Sequence, residues 1–268
     1  MNVLARVFRR RTTRISPRHR NAFKAALEPI LDRPEPTRHR CGCCGADLET
    51  AALERVTARC FVTGLELSRV RCSGCGAVQG PLPLVTCSAT ELGSLYKRLY
   101  EFFSEGASTA FQEKTFYMLN PSLGGRYLNY ACGDWSAGIT HLRGLGWQVW
   151  GYEPFQPVRH AAVVNDLGRC AETPFHGVMS HNFIEHVQDP AAFFAACARL
   201  VVAGGVMAHS SACYEYVCET SPFHLYFYCG DAVHRLAERS GFVVVGDHRV
   251  DTDVPGKRYN CRVFRRGG

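Results

Sequence analysis

The chain has 268 residues, of which 46% are hydrophobic and 21% charged, ordinary values for a globular protein with one large domain and a small appendage. No stretch approaches the about 20 consecutive apolar residues that span a bilayer, so the sequence predicts no transmembrane helix. The net charge of +7 is concentrated near the N-terminus: residues 1–40 contain eleven Lys/Arg and three Asp/Glu, which leaves the rest of the chain at about −1.

Residues 1–38 form a basic segment that we expect to be a flexible extension. Met1 to Lys24 contains no acid and includes three consecutive arginines, and the proline-containing stretch 33–36 is typical of a linker. A solvated, partly disordered extension is the favoured interpretation. A cleavable organelle presequence and an arm that binds membranes or nucleic acid are the alternatives.

Two C-x-x-C pairs, separated by 27 residues, predict a zinc ribbon over residues 39–82. Their sulfurs belong to Cys41, Cys44, Cys72 and Cys75. Four thiolates form a closed tetrahedral site, which is structural rather than catalytic, and a segment of this size is too small to fold on a hydrophobic core alone. Cys43 and Cys60 are alternative ligands, although neither completes a second pair. The chain has fourteen cysteines, and the metal spacing of four of them favours a reducing, cytoplasmic compartment over a disulfide framework.

Residues 88–120 are predicted to be a helical connector, because Leu92, Leu95 and Leu99 recur at helical spacing. Short apolar runs then alternate with helical patterns over residues 121–268, the pattern of a mostly parallel sheet covered by helices. We expect strands near 126–131, 147–152, 162–165, 177–181, 204–210, 242–249 and 258–264, and helices near 134–145, 189–202 and 230–240. The last two strands are joined by a short, turn-rich connection and should pair antiparallel.

A cofactor site is indicated where residues 128–136 lead from a strand through a tight turn into a helix. Backbone amides at such a helix start can approach a ligand closely. Glu153 ends the next strand about twenty residues later, where a carboxylate can accept hydrogen bonds from both hydroxyls of a ribose. The absence of G-x-G-x-x-G argues against a dinucleotide.

Several motifs resemble those of class I S-adenosylmethionine (SAM)-dependent methyltransferases. Residues 128–136 are similar to the first motif of that family and residues 151–154 to the second. Residues 179–190, MSHNFIEHVQDP, resemble the "LEHVPDP" signature, residues 200–206 resemble "LLKPGG", and residues 223–227 resemble "PHLHFF". The resemblance covers residues 124–265, and zinc-ribbon-bearing relatives extend it to about residue 40. It implies a Rossmann-like α/β domain with seven strands, the last antiparallel, behind a small zinc ribbon.

The resemblance also implies a set of SAM contacts. Gly133 and the backbone near Ala131 should face the methionyl part of SAM, Glu153 its ribose, and Asp166-Leu167 its adenine. His181 and Asn182 should lie near the sulfonium. Asn129 and Asp134 complete the predicted cofactor set.

The first motif departs from the family pattern at three positions. Asn129 replaces the usual acid, Ala131 the first glycine and Trp135 the third glycine. The indole of Trp135 must either swing clear of the pocket or fill part of it. These departures bear on cofactor affinity more than on the fold.

Catalysis by a methyltransferase consists mainly of aligning the nucleophile with the methyl group, and a base is needed only when the acceptor has a proton to lose. His186 and His224 are the predicted bases. His209 and His181 are alternatives, and Tyr214 or Tyr216 could orient an acceptor. The structural roles open to these residues are a helix cap or loop anchor for His186 and aromatic packing for His224.

The predicted function is SAM-dependent methyl transfer to a small molecule, or to a sugar or other biosynthetic intermediate. An RNA methyltransferase that docks through the ribbon and the basic segment is one alternative, and the near-neutral charge of residues 41–268 argues against it. A degenerate methyltransferase that acts as a scaffold or partner subunit is the other, supported by the altered first motif. The sequence does not identify the acceptor or the oligomeric state.

Overall fold

The computed structural model describes residues 15–103, 108–133, 137–154, 160–168, 173–216, 220–251 and 258–268. The chain divides into two compact units. We call residues 1–106 and 215–232 the ribbon unit, and residues 107–214 and 233–268 the sheet unit. Residues 215–232 thus belong to the same unit as the N-terminal part of the chain. The boundaries predicted from the sequence place them in the domain over residues 121–268. The four domain boundaries themselves stay a prediction.

The secondary structure follows the expected alternation. The strands are β1 (Arg38–Arg40), β2 (Asp47–Glu49), β3 (Arg55–Arg59), β4 (Glu66–Arg71), β5 (Val78–Gln79), β6 (Arg126–Tyr130), β7 (Gln148–Tyr152), β8 (Val163–Val164), β9 (Phe175–His181), β10 (Val201–Ser211), β11 (Tyr226–Phe227), β12 (Phe242–Asp251) and β13 (Arg258–Arg266). The helices are α1 (Pro17–Leu31), α2 (Leu82–Thr86), α3 (Ala89–Tyr100), α4 (Thr109–Tyr117), α5 (Ala137–Gly144), α6 (Pro190–Leu200) and α7 (Ala232–Arg239), with 3₁₀ helices at Thr50–Ala52 and Ile184–His186. Among the described residues, no helix has both the length and the apolar character that crossing a bilayer requires.

The ribbon unit contains two small antiparallel sheets. β1 pairs with β2, and β11, β5, β4 and β3 form a four-stranded sheet in that order. β11 comes from the segment 215–232 and pairs with β5, so that segment adds a fourth strand to the ribbon sheet.

The basic segment is not a flexible extension over its whole length. Ser16 caps helix α1 by accepting a hydrogen bond from the His19 amide, and Pro17 occupies the first turn. Phe23 and Leu27 are fully buried, one helical turn apart, and Phe23 packs against Phe102 within the ribbon unit. The expectation of flexibility is therefore wrong for residues 17–31. It was based on the many basic residues of this segment, although the helix also has an apolar face that is buried. Residues 1–14 lie outside the described part of the chain.

Two described helices, α3 and α4, lie within the predicted helical connector over residues 88–120. Helix α3 begins with a capping box between Ser88 and Glu91 and belongs to the ribbon unit, whereas helix α4 belongs to the sheet unit.

The sheet unit is built on seven strands in the order β12-β13-β10-β9-β6-β7-β8. β13 is antiparallel to both of its neighbours, β10 and β12, and the other pairings are parallel. Helices α4 and α5 cover one face of the sheet and α6 covers the other. The predicted fold class, a mostly parallel seven-stranded α/β sheet with an antiparallel last strand, is confirmed.

The direction of strand addition reverses between β6 and β9. The chain adds β7 and β8 on one side of β6, and then returns to place β9 on the other side. In open α/β sheets, ligands bind outside the carboxyl ends of the strands at such a reversal. The topology therefore predicts a ligand site beside the residues that follow β6, β7 and β9.

Candidate functional site

A strained turn follows β6 at the carboxyl edge of the sheet. Ala131 has φ 58° and Gly133 has φ 84°, both in the left-handed region that favours glycine. The Cys132 amide between them donates to the Tyr152 carbonyl at 3.1 Å, which anchors the turn to β7. A Cβ built on Gly133 meets no atom within 4 Å among the described residues, so the backbone there can approach a ligand closely.

Glu153 lies directly after β7 and beside this turn. Its Oε2 accepts a hydrogen bond from the Gly133 amide at 3.1 Å, and its side chain is 8% exposed. Its own amide donates to the Val164 carbonyl of β8. The carboxylate is therefore fixed at the strand end where the sequence predicts ribose recognition.

A second sharp turn follows β9, the strand beside β6. His181 is the last residue of β9 and is buried, and Asn182 has φ 54°. The Asn182 amide donates to the Ser210 carbonyl of β10 at 2.8 Å. Because β6 and β9 are parallel neighbours, their two strained turns lie at the same edge of the sheet, on either side of the reversal point.

Other predicted cofactor residues make different contacts. The side chain of Asn129 is buried, and its Nδ2 donates to Gln112 Oε1 of helix α4 at 3.0 Å. This bond connects the helix to β6. Asp166 is exposed and accepts from the Gly168 amide at 2.8 Å, which closes a local turn, and Leu167 is half-buried beside it. Asp134 and Trp135 lie outside the described residues.

The two predicted bases belong to different units. His186 ends the 3₁₀ helix after β9 in the sheet unit and is half-buried. His224 belongs to the ribbon unit, where its ring lies 6.4 Å from that of Phe227, in keeping with the aromatic packing that the sequence left open.

Burial removes two of the alternative catalytic residues. His209 is fully buried, and desolvation lowers its pKa to about 3, so the ring stays neutral in the core. Tyr214 is also buried, and desolvation raises the pKa of its hydroxyl well above the usual range. Both residues pack inside the sheet unit and are poor candidates for proton transfer to a ligand.

Two polar residues that the sequence did not indicate lie next to His181. His181 Nδ1 is 2.8 Å from Ser210 Oγ, and Ser210 Oγ is 2.7 Å from Thr115 Oγ1 of helix α4. All three are buried. No local pattern predicts this contact, because Thr115 and Ser210 are 95 residues apart.

The four predicted metal ligands form one cluster in the ribbon unit. The sulfurs of Cys41, Cys44, Cys72 and Cys75 all lie within 4.8 Å of one another. Each pair sits in a similar turn: the Gly45 amide donates to the Cys41 carbonyl and the Gly76 amide to the Cys72 carbonyl, both at 2.9 Å. Both glycines have positive φ, at 77° and 82°, which explains the glycine after each C-x-x-C.

The spacing of the sulfurs fits a zinc ion. Tetrahedral Zn²⁺ with Zn–S distances of about 2.3 Å separates its ligands by about 3.8 Å. Cys41 Sγ lies 3.7 Å from Cys75 Sγ, and Cys44 Sγ lies 3.6 Å from Cys72 Sγ. Cys43 and Cys60, the alternative ligands, do not belong to the four-sulfur group.

The thiols of the cluster influence one another's ionisation. The pKa of Cys41 lies far below its ordinary value, because the thiols of Cys43 and Cys75 donate to its sulfur. The pKa of Cys75 is raised, mainly by the same contact with Cys41, and burial raises the pKa of Cys72 to about 11. One thiolate thus suppresses the ionisation of the others, and a divalent ion would offset the repulsion of four negative sulfurs.

The sequence matches no family model and no curated protein. Among solved structures, the chain resembles the 1,6-didemethyltoxoflavin-N1-methyltransferase of Burkholderia thailandensis, which was crystallised with 1,6-didemethyltoxoflavin and S-adenosylhomocysteine. That match has 14% identity and a TM-score of 0.51, and it covers 75% of this chain and 96% of the other.

Two further matches have lower TM-scores. They are the complex between the Haloferax volcanii Trm112 methyltransferase activator and a putative methyltransferase (13% identity, 60% and 90% coverage, TM-score 0.47) and a putative sarcosine dimethylglycine methyltransferase from Galdieria sulphuraria (14%, 65% and 88%, 0.44). The likeness to the Burkholderia enzyme shows the fold, and activity has to be argued from the site.

Proposed function

We propose that the chain transfers a methyl group from SAM to a small-molecule acceptor, such as a sugar or another biosynthetic intermediate. One observation supports this proposal most directly. The turn after β6, the Glu153 carboxylate and the turn after β9 lie together at the carboxyl edge of the sheet, beside the point where strand addition reverses.

Each group of residues at this edge would contact a different part of SAM. When bound, SAM supplies a methyl group already activated on a sulfonium. Gly133 and the backbone at Ala131 would receive the methionyl part, since the turn there leaves room for close approach. Glu153 would accept hydrogen bonds from the ribose, and His181 with Asn182 would lie near the sulfonium.

The remaining predicted contacts are weaker candidates. Leu167 offers an apolar surface for adenine, while the carboxylate of Asp166 is engaged by the Gly168 amide. Asn129 would act through Gln112 and helix α4 rather than on the ligand. His186 and His224 stay predicted bases.

The ribbon unit would hold one structural Zn²⁺ through Cys41, Cys44, Cys72 and Cys75. Its four ligands leave no open coordination position, so the metal would stabilise the unit and take no part in methyl transfer. None of the twelve cysteines that the structure describes forms a disulfide, and the cytoplasmic location stays a prediction from cysteine usage.

Calorimetric titration of the full chain with SAM and with S-adenosylhomocysteine tests the proposal. We expect both to bind with one site per chain and to compete for it. Absence of binding to wild-type protein would refute the proposal. Binding gained only in Trp135→Gly would instead favour a scaffold whose first motif no longer accepts the cofactor.

A further inference from the structure

Two polar side chains of helix α4 contact residues near the ends of two strands of the sheet. Gln112 Oε1 accepts a hydrogen bond from Asn129 Nδ2 of β6 at 3.0 Å, and Thr115 Oγ1 lies 2.7 Å from Ser210 Oγ of β10. Gln112 and Thr115 are three residues apart, so they lie on the same face of the helix. One helix face therefore makes a polar contact with each of these two strands.

Both of the contacted strand residues lie beside a strained turn. Asn129 precedes Ala131, which has φ 58°, by two residues. The Ser210 carbonyl accepts a hydrogen bond at 2.8 Å from the amide of Asn182, which has φ 54°. These are the turns after β6 and β9, on either side of the reversal point. Helix α4 is thus connected to each turn through one side-chain hydrogen bond and a short stretch of backbone.

The two turns need to be held by their surroundings. Residues other than glycine in the left-handed region are strained, and they persist only where the neighbouring structure fixes the backbone. Within the sheet, the Cys132 amide donates to the Tyr152 carbonyl of β7, and the Asn182 amide donates to β10. The contacts with helix α4 come from the face of the sheet, so they restrain each turn in a second direction.

The contacts are buried, although the helix does not need them in order to dock. Thr115 and Ser210 are fully buried, and Asn129 is 1% exposed. Phe111 and Phe116 of the same helix are also buried, and they pack edge-on against tyrosines of β13 and β6. These apolar contacts hold the helix on the sheet. A buried hydrogen bond adds only modestly to stability, but its narrow range of length and angle fixes the position of both partners.

We propose that Gln112 and Thr115 are positioning residues of the SAM site. Gln112 acts on the turn after β6 through Asn129, and Thr115 acts on the turn after β9 through Ser210. This inference rests on the proposed function, in which the two turns lie against the methionyl part and the sulfonium of SAM. Helix α4 orders the turns before SAM arrives, so that less ordering is needed on binding.

Hydrogen exchange in the absence of SAM, followed by NMR on the full chain, tests the two connections separately. Gln112→Leu should speed exchange of the Cys132 amide, and Thr115→Val should speed exchange of the Asn182 amide. We expect an increase of about 3- to 10-fold in each, the equivalent of one hydrogen bond. Each variant is the control for the other, because a general loosening of the protein would speed both amides alike.

Two results of the exchange experiment would overturn the proposal. Wild-type rates at both amides in both variants would show that the turns are held within the sheet alone, by β7 and β10. Equal acceleration of both amides in either variant would show that the contact stabilises the whole unit instead of one turn.

Calorimetric titration with SAM and with S-adenosylhomocysteine tests the consequence for binding. Gln112→Leu and Thr115→Val should each weaken the affinity for both ligands by about 3- to 10-fold. Gln112→Glu keeps an oxygen that accepts from Asn129, and Thr115→Ser keeps the hydroxyl, so both should recover most of the affinity. A role in packing alone gives the opposite order at Thr115, because valine keeps the shape of threonine and serine does not.

Lys114→Ala is the matched control on the same helix. Lys114 is exposed, between the two positioning residues in sequence and away from the sheet, so its variant should bind SAM as the wild type does. Gln112 is half-buried, so Gln112→Leu should fold, and it tests the proposal even if Thr115→Val does not fold.

The outcomes separate this inference from the proposed function. Wild-type protein that binds neither SAM nor S-adenosylhomocysteine refutes the proposed function. If the wild type binds, unchanged affinity in Gln112→Leu and Thr115→Val overturns the positioning role. A loss in Thr115→Ser as large as that in Thr115→Val overturns it as well, because the hydroxyl would then not be the group that matters.

Discussion

The Glu153 carboxylate accepts a hydrogen bond from the Gly133 amide at 3.1 Å and so joins the ends of two parallel strands. Gly133 belongs to the turn after β6, and Glu153 follows β7. The bond fixes the carboxylate before any ligand arrives, so less ordering is needed on binding. It also gives Glu153 two roles, one in the fold of the turn and one in the proposed recognition of a ribose.

Substitutions at Glu153 should separate these roles. Glu153→Ala removes both, and we expect SAM affinity to fall about 10- to 100-fold, the equivalent of about 1.5–3 kcal/mol for charged hydrogen bonds. Glu153→Gln keeps an oxygen that can accept from Gly133 but loses the charge, so it should weaken binding while leaving the melting temperature near that of wild type. Calorimetry and thermal melts measure both quantities.

Glu238→Ala is the control for these variants, because its carboxylate is exposed on helix α7 and pairs only loosely with Arg235, at 3.5 Å. It should leave SAM affinity unchanged. Full affinity in both Glu153 variants would show that the ribose is bound elsewhere.

Ala131 should be replaceable by glycine with a gain in stability. An alanine in the left-handed region destabilises the folded state by about 1–2 kcal/mol. Glycine removes that strain, but it raises the conformational entropy of the unfolded chain, which offsets about 0.4–1 kcal/mol of the gain. The net gain of up to about 1.6 kcal/mol corresponds to a rise of up to about 3–6 °C in the melting temperature of the sheet unit. Asn182→Gly is the matched comparison, and its gain should be smaller because asparagine tolerates φ near +54°. A lower melting temperature for Ala131→Gly would contradict this account of the turn.

The sequence predicted the parts of the molecule that depend on local pattern. Strand periodicity placed β6, β7 and β9 within about two residues, and the position of Glu153 followed from where β7 ends. The four metal ligands followed from the C-x-x-C spacing.

Features that depend on distant contacts were not predictable in the same way. His181 is hydrogen-bonded to Ser210, and Ser210 is hydrogen-bonded to Thr115. Only the packing of helix α4 on β10 brings Thr115 and Ser210 together. The docking of helix α1 was not predicted for a different reason: its apolar positions are interrupted by many basic residues, so composition pointed to a solvated segment.

Helix α1 should contribute measurably to the stability of the ribbon unit. Phe23 is fully buried and packs against Phe102 and Phe223, so Phe23→Ala should destabilise that unit by about 3–5 kcal/mol. Lys24→Ala is the control on the same helix, since the exposed pair with Glu28 is worth only about 0.2–0.5 kcal/mol. Chemical denaturation followed by hydrogen exchange of ribbon-unit peptides gives both values. Equal stability of the two variants would show that α1 is not docked in solution.

Zinc should order both the ribbon and β11, the strand that pairs with β5 at the edge of the ribbon sheet. Purified protein should contain about one zinc per chain, and Cys72→Ser should lose it, because three thiolates cannot close the tetrahedral site. The turn at Gly76 lies against Gly230 (a Cβ on Gly230 would come within 3.1 Å of the carbonyl oxygen of Cys75), so loss of metal should also increase hydrogen exchange in peptides covering residues 222–230. Cys60→Ser is the matched control in the same unit, and it should keep the metal because Cys60 is outside the cluster. Slow exchange of those peptides in zinc-free Cys72→Ser would show that β11 is held without the metal.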